Sequence, residues 1–590
     1  MNAVAHSVEQ EYDATVRADI EIFRRHAEDF VAGRITDDQF RAQRLRRGVY
    51  GQRQAGVHMV RTKVPGGRLT SEQMEQLALV ADQFSIGRAH VTTRQNVQFH
   101  FVPLANVPAA LHKLADARLT TREACYNTVR NVTACPTAGL LRDEIFDINP
   151  YALRTAFAFL HNPLTDAMPR KFKIAFCGCP TDCMLTSIHD VGLRARIRTE
   201  NGVQKRGFRM VIGGGLGPLP VEAIILDEFI PEERLINRIE AMLRIFTKYG
   251  NYQNKNKARF KFIVRERGAE WVRDAIEREY ADILANGGIA TPEVVPEHFG
   301  ASADAPRPLG NGARLPVFDG RPPADPRFDA WLETNVQEQR QPGYAVVTIV
   351  VPQGNLTSGQ MRDLARLARE VGDGLLRVTI AQNLKLAWVP LANLRRVYRA
   401  LREIGLADAG AQEISDVTTC PGSWTCNLGL TKTMNLGEVL VETVRGYDDP
   451  QVRRLHIKAS GCPNACGQHW IADIGFYGNS RKIEGHEVPY YQMLLGGGHD
   501  ATGVIRFGLA ISSVPARVAP IAVKRVLDNF IAERTEGESF REYVVRHKVE
   551  HFKAMIADLV KPAELTPELC RDWGDEEPFS LKLGRGECAS

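Results

Sequence analysis

No apolar run in this chain approaches the ~20 residues that a membrane span needs. The N-terminal stretch MNAVAHSVEQEYDATVRADIEIF has neither a basic n-region nor an apolar h-region, so no secretory signal is expected in it. Cysteine is scarce. Eleven in 590 residues do not make a disulfide scaffold, and in a reducing cytoplasm, the expected location, clustered cysteines read as metal ligands. The net charge is only +5, and no basic block or aromatic-spaced basic stripe marks a nucleic-acid surface. No G-x-G-x-x-G opens a helix and there is no P-loop, which excludes NAD, FAD or ATP binding by those devices. What is there is ordinary for a soluble globular protein: 44% hydrophobic and 25% charged residues. The length exceeds a single core, so several domains are expected.

The scarce cysteines are not scattered. Four in the C-terminal half form two pairs, Cys420-x5-Cys426 in TTCPGSWTC and Cys462-x3-Cys466 in SGCPNAC. Soft thiolates select iron–sulfur clusters, zinc or copper. Structural zinc sites usually place two to four residues between paired ligands. A gap of five therefore fits a [4Fe–4S] cluster better, since cluster spacings are family-specific. Zinc, in a non-catalytic scaffold module, and four merely buried apolar cysteines are the competing readings. The two Cys-Pro steps and the flanking Gly461 and Gly467 favour shaped loops over core strands.

The chain is duplicated. VPGGRLTSEQM (residues 64–74) recurs as VPQGNLTSGQM (351–361), and VTTRQNVQFHFV (91–102) recurs at the same offset as VTIAQNLKLAWV (378–389). VTACP returns as VTTCP, CGCPTDC as SGCPNAC, and Gly213–Gly215 as Gly496–Gly498. A period of half the chain means one duplication, not a solenoid. Each half begins strand–helix–strand–helix: a strand near Val57–Val64, a helix near Ser71–Phe84, a strand near Ala89–Val102 and a helix near Val107–Ala117, repeated from Tyr344 to Ile404. An α/β stretch follows, with the cysteine loops, the triple-glycine turn and a closing helix (near Pro231–Tyr249, again near Ala516–Arg534). The triple-glycine turns could bring backbone N–H groups close to a ligand. Gly288–Gly343, rich in Pro and Gly, reads as a surface linker. The tail from Lys561 has little periodicity, and its Cys570 and Cys588 have no spacing partner.

The halves have kept different residues. Cys135 matches Cys420, but Leu141 stands where Cys426 is needed, so the expectation is a cluster in the second half only, with Cys177, Cys179 and Cys183 structural. Cations run the other way. Arg61, Arg94 and Arg130 align with Thr348, Ala381 and Ser415, while Lys171 and Lys173 of PRKFK align with Arg454 and His456. An Arg on an apolar strand needs an anionic partner. Each alone could be a salt bridge or a solvated face; together they imply a shared anion.

These motifs together, C-x5-C…C-x3-C, PRKFK, RNVT-x-C and the duplicated TRQN strand, resemble the sirohaem-containing sulfite and nitrite reductases over about Leu45 to Ile556. The resemblance implies an α+β fold with pseudo-twofold symmetry. Two ferredoxin-like half-modules (45–120 and 344–408) would pair into one domain, beside two α/β domains (121–287 and 409–556) holding sirohaem and a [4Fe–4S] cluster. Residues 1–44 would form a helical extension, 288–343 the linker and 557–590 a tail. Cys420, Cys426, Cys462 and Cys466 would bind the cluster, with Cys466 shared with the sirohaem iron. Arg61, Arg130, Lys171 and Lys173 would surround the substrate; Thr92, Arg94, Gln98, Arg259 and Asn464 would contact the sirohaem. His90 stands where sulfite-type relatives often carry Arg, which puts one carboxylate contact in doubt. Lys173 favours sulfite, because nitrite-type relatives tend to have Asn there. Nitrite reduction is the runner-up, and the related cobalamin-pathway monooxygenase, usually shorter, is a third reading. The missing flavin fingerprint points to a protein electron donor such as ferredoxin, with Arg194, Arg196, Arg198, Lys205 and Arg206 as a basic patch that could meet it.

Overall fold

The computed structural model describes residues 3–166, 168–296, 325–500, 503–584 and 586–587. Cys588 and half of the expected linker, 297–324, lie outside them. Two helices, Ala3–Val31 and Asp37–Arg46, open the chain, and their apolar stripe (Val16, Ile20, Phe23, Phe40) joins the core of the first half.

The duplicated motifs build the centre. In the first copy the strand Val57–Arg61 leads to a short strand Arg68–Thr70, the helix Ser71–Phe84, a hairpin Arg88–Val91/Val97–Pro103 and the helix Val107–Asp116. The second repeats this as Tyr344–Ile349, Asn355–Thr357, Ser358–Val371, Leu375–Val378/Leu384–Pro390 and Leu394–Glu403. The repeated L-T-S-x-Q sequence starts each first helix with a capping box, Thr70 with Gln73 and Thr357 with Gln360. The single strand expected over Ala89–Val102 is instead a hairpin. The Thr92 N–H bonds back to Asn96 O at 2.9 Å and Gln95 adopts φ +54°, so the TTRQN segment turns rather than continuing a ladder.

The two copies exchange their short strands. Arg68–Thr70 pairs with Leu375–Val378 of the second copy, and Asn355–Thr357 pairs with Arg88–Val91 of the first. Each five-stranded sheet is thus completed by the other half. Gln95 and Gln382, one in each turn, pin the seam. Gln95 Nε2 donates to Val378 O and to Ala134 O, both at 2.8 Å, and Gln382 Nε2 donates to Val91 O at 3.0 Å. Both amides are buried, where an unpaired polar group costs about 1–3 kcal/mol, so these bonds specify how the halves meet.

Each half then adds an α/β domain on a five-stranded sheet. In the first, Thr133–Ala134, Ile174–Cys177 and Val191–Glu200 run parallel, and Val203–Ile212 and Ile224–Pro231 follow antiparallel. In the second the same order is Thr418–Thr419, Ile457–Ser460, Ile474–Ile483, His486–Leu495 and Leu509–Pro515. Helices Leu235–Tyr249 and Ala519–Glu533 close the two domains. In both, the cysteine loops leave the carboxyl ends of the parallel strands, where open α/β sheets place their ligands.

Two other expectations need correction. The region 288–343 is not wholly linker: it ends in a helix Pro326–Asn335, started by the Asp325 carboxylate with Pro at its first position, and a strand Val336–Glu338 that edges the second central sheet. The basic patch is also smaller than its sequence. Arg194 is buried and donates to Pro180 O at 2.6 Å, while Arg198 and Lys205 both face Glu200. The tail lies over the second α/β domain. Trp573 Nε1 donates to Ala516 O at 2.8 Å, and Cys570 is buried against Val488 and Tyr490.

Candidate functional site

One cavity between the halves collects nearly all the candidate residues. Arg61, Arg130, Lys171 and Lys173 line it, with Thr92, Arg94, Gln98 and Asn464, and so do Cys420, Cys426, Cys462 and Cys466. Arg259 does not line it. It makes a two-pronged pair with the fully buried Asp190, Nε to Oδ1 at 3.1 Å and Nη2 to Oδ2 at 2.8 Å. Asp190 also accepts the Lys173 backbone N–H at 2.9 Å. Asp190 thus joins Arg259 to the backbone of Lys173, just before the strand Ile174–Cys177.

The thiol loops are built by close backbone approach. After Thr418–Thr419 the chain turns through Pro421 and Gly422, and Cys426 N–H bonds Gly422 O at 3.0 Å. Gly422 has φ +54°, and a Cβ there would stand 2.3 Å from Thr431 O, so no side chain is admitted. The Gly461 N–H donates to Cys420 Sγ at 3.2 Å, tying the two loops together. Burial pushes the Cys420 thiol up to about 11 and the Cys462 thiol higher, the neighbouring Cys466 adding in each case. Thiolates in such a place need a bound cation to stabilise them. Among the described residues no three of these four sulfurs gather within 4.8 Å. Ligands on separate corners of a multi-iron cluster stand apart in this way, whereas those of one ion do not.

The cationic side is held mainly by neutral acceptors. Arg130 donates to Tyr126 O (2.8 Å), Ala124 O (3.0 Å) and Tyr50 Oη (3.2 Å), and Arg61 lies over the Tyr50 ring. Arg94 Nη1 bonds His189 Nε2 at 2.7 Å, while its Nε is buried with no protein partner. The His189 imidazole is neutral: burial and the adjacent Arg94 hold it well below its usual range, and Nδ1 donates to Leu185 O. The Arg94 guanidinium is lowered to about 9 by burial, then by Arg130. Lys173 is pushed well below the ordinary amine range by burial, Arg94, Arg259 and Lys171. An anion in the cavity would relieve this crowding.

Some lining residues were not anticipated. Thr93 Oγ1 donates to Cys466 O at 3.0 Å, coupling the TTRQN turn to the cysteine loop across the halves. Glu587, in the tail, lines the cavity while binding Arg44 and the Gly51 N–H. These contacts join residues hundreds of positions apart, which no local pattern announces; the duplicated TRQN motif was the one available signal for Thr93. His90 lines the cavity but carries no charge. Burial holds it down to about 4; with Nδ1 donating to Asn355 Oδ1 (3.2 Å), Nε2 accepts from Gln382 Nε2 (3.2 Å).

A set of four spaced thiols facing a cavity rich in cations, on a duplicated α+β frame, is the construction of a metal-dependent reductase of small anions. Comparison with known proteins names the group. The profile of the nitrite and sulphite reductase 4Fe-4S domain matches residues 125–284 and again 410–562, and that of the nitrite/sulfite reductase ferredoxin-like half domain matches 50–117 and 337–404. The chain belongs to the nitrite and sulphite reductase family. It is 29% identical over 554 residues to the assimilatory ferredoxin-dependent nitrite reductase of Haloferax mediterranei, covering 90% of this chain and 89% of that one. It is 27% identical over 503 residues to the sulfite reductase [ferredoxin] of Mycobacterium tuberculosis, covering 84% and 83%. The structure of the Mycobacterium tuberculosis NirA protein shares the fold, with a TM-score of 0.75 at 24% identity over 92% of this chain and 97% of that one. Membership implies sirohaem and a [4Fe–4S] cluster as cofactors. The spaced thiols and the unpartnered Arg94 Nε are donors of the kind these groups require.

Proposed function

We propose that this enzyme reduces sulfite to sulfide, taking six electrons one at a time from a ferredoxin or similar protein. Cys420, Cys426, Cys462 and Cys466 would hold the cluster, with Cys466 shared with the sirohaem iron. Thr92, Arg94, Gln98 and Asn464 would hold the sirohaem, with Arg259 joined through Asp190 to the Lys173 backbone. When bound, these groups supply one-electron transfer and a metal position for the substrate; the redox chemistry is theirs.

The chain supplies charge and protons. Arg61 and Arg130, fixed by Tyr50 and by backbone carbonyls, offer forked donors to an oxyanion. Lys171 and Lys173 add compact cations. A lysine with a depressed affinity for its proton releases it more readily to oxygen leaving the substrate. Asp190, neutralised by Arg259, fixes the Lys173 backbone so that this proton is presented in one place.

The observation that carries the sulfite reading is Lys173 in the cavity, making a fourth cation where nitrite-type relatives tend to have a neutral Asn. The names of relatives support the other reading, nitrite to ammonia, since several of the proteins it resembles are ferredoxin–nitrite reductases. Rates of sulfide and ammonia formation, with reduced methyl viologen as donor, distinguish the two. A higher kcat/KM for sulfite is expected; a preference for nitrite overturns the assignment.

A further inference from the structure

The first α/β domain holds a second thiol set that the cluster does not use. Cys135 leaves the strand Thr133–Ala134, Cys177 ends Ile174–Cys177, and Cys179 and Cys183 follow in the next loop. Cys183 Sγ is 3.2 Å from Cys135 Sγ and 3.7 Å from Cys177 Sγ, and Cys177 Sγ is 3.2 Å from Cys179 Sγ. The sulfurs of Cys135, Cys179 and Cys183 all lie within 4.8 Å of one another.

These spacings separate the two halves chemically. A tetrahedral zinc with Zn–S bonds of about 2.3 Å places its sulfurs ~3.8 Å apart. Cys135, Cys179 and Cys183 crowd together on that scale, and Cys177 stands within it of Cys179 and Cys183, while the second-half set stays wide. The missing counterpart of Cys426 at Leu141 removes a cluster ligand, and Cys177, which stands where the second half has Ser460, supplies a sulfur from a different position.

The surroundings suit a buried thiolate–metal site. Thr137 Oγ1 is 3.2 Å from Cys135 Sγ, and Thr181 Oγ1 is 3.5 Å from Cys179 Sγ. The Cys183 N–H donates to Cys179 Sγ at 3.4 Å. Such contacts orient ligands and spread their charge. The buried Lys385 is close enough to feel charge on Cys135 and Cys183, offsetting part of it. Cys183 and Thr181 also line a cavity of about 1290 Å³ that gives an ion a way in.

We propose that Cys135, Cys177, Cys179 and Cys183 bind one zinc ion, a structural centre occupying the position that the cluster ligands occupy in the second half. The site closes the carboxyl ends of the parallel strands in the domain that presents Lys171 and Lys173.

Elemental analysis of the purified holoenzyme tests this. About one zinc per chain is expected besides the iron. Cys179→Ser and Cys183→Ser should each lower zinc at least five-fold and leave iron and labile sulfide unchanged; Cys462→Ser should do the reverse. No zinc in protein produced with zinc in the medium, zinc unchanged in both first-half variants, or iron lost in place of zinc would overturn it. So would a disulfide among the four cysteines in non-reducing peptide mapping. Should the serine variants fail to fold, the wild-type holoenzyme can be titrated with an organomercurial while zinc release is followed by a chromogenic chelator. Release that tracks modification of these four cysteines supports the site, and release without it overturns it.

Discussion

Lys173 and Arg94 share one crowded patch of positive charge with Arg130, Lys171 and Arg259, and Arg259 is paired with the Asp190 carboxylate. Lys173→Asn should lower kcat/KM for sulfite by ~10² or more, as removal of a positioned oxyanion donor or acid does, and change nitrite turnover far less. An unchanged sulfite-to-nitrite ratio would remove the basis for preferring sulfite. His90 gives a pH dependence. Its folded-state value of about 4 lies below the usual ~6.5, so the folded protein binds fewer protons between those values. Its contribution is fully present above about 6.5 and lost as pH falls toward 4. Between pH 7.5 and 5 the loss is on the order of 2 kcal/mol. Urea midpoints should therefore fall more steeply with acid in the wild type than in His90→Gln; parallel slopes would show that His90 does not titrate this way. Residue chemistry of this kind was partly legible. The aligned excess of cations in the first half foretold a shared cavity, but Arg259 and Arg194 read the same as the others, and only the fold shows their buried partners, Asp190 and Pro180 O.

Among the elements, the cysteine loops depend on positions without side chains. Gly422→Ala places a methyl against Thr431 O and strains a positive φ, so the two loops could no longer close on each other. Iron and labile sulfide should fall by more than half, whereas Gly446→Ala, at an exposed helix end with open space around it, should keep both. Normal iron in Gly422→Ala would mean that the loop tolerates what its geometry forbids. Helix starts were readable because a capping box is a local sequence event, as with Thr70 and Thr357. The hairpin inside Ala89–Val102 was not, because TTRQN carries no Gly or Pro to mark a turn and Gln95 is held at positive φ by bonds to Ala134 O and, across the seam, to Val378 O.

For the whole molecule, the surface carries modest positive charge, with Arg196 and Arg206 on the hairpin Val191–Glu200/Val203–Ile212 and Arg198 and Lys205 partly offset by Glu200. An acidic donor protein would be steered to such a surface, and salt would weaken the steering. Turnover with reduced ferredoxin should fall steeply with ionic strength while turnover with reduced methyl viologen changes little. Equal salt dependence for the two donors, or efficient turnover with NADPH and no added protein, would count against a charged protein donor.

The sequence by itself determined the duplication, the capped helices, the four thiols of the second half and the excess of cations in the first, because each is written in local spacing or in a comparison of aligned positions. Only the tertiary structure decided that the halves exchange strands and that Gln95 and Gln382 lock the seam. It alone paired Arg259 with Asp190, brought Thr93 to Cys466 and drew Cys135, Cys179 and Cys183 to single-ion distances, with Cys177 beside two of them. Hydrogen bonding and burial act through space, so partners far apart in the chain leave no mark on either neighbourhood until the fold brings them together.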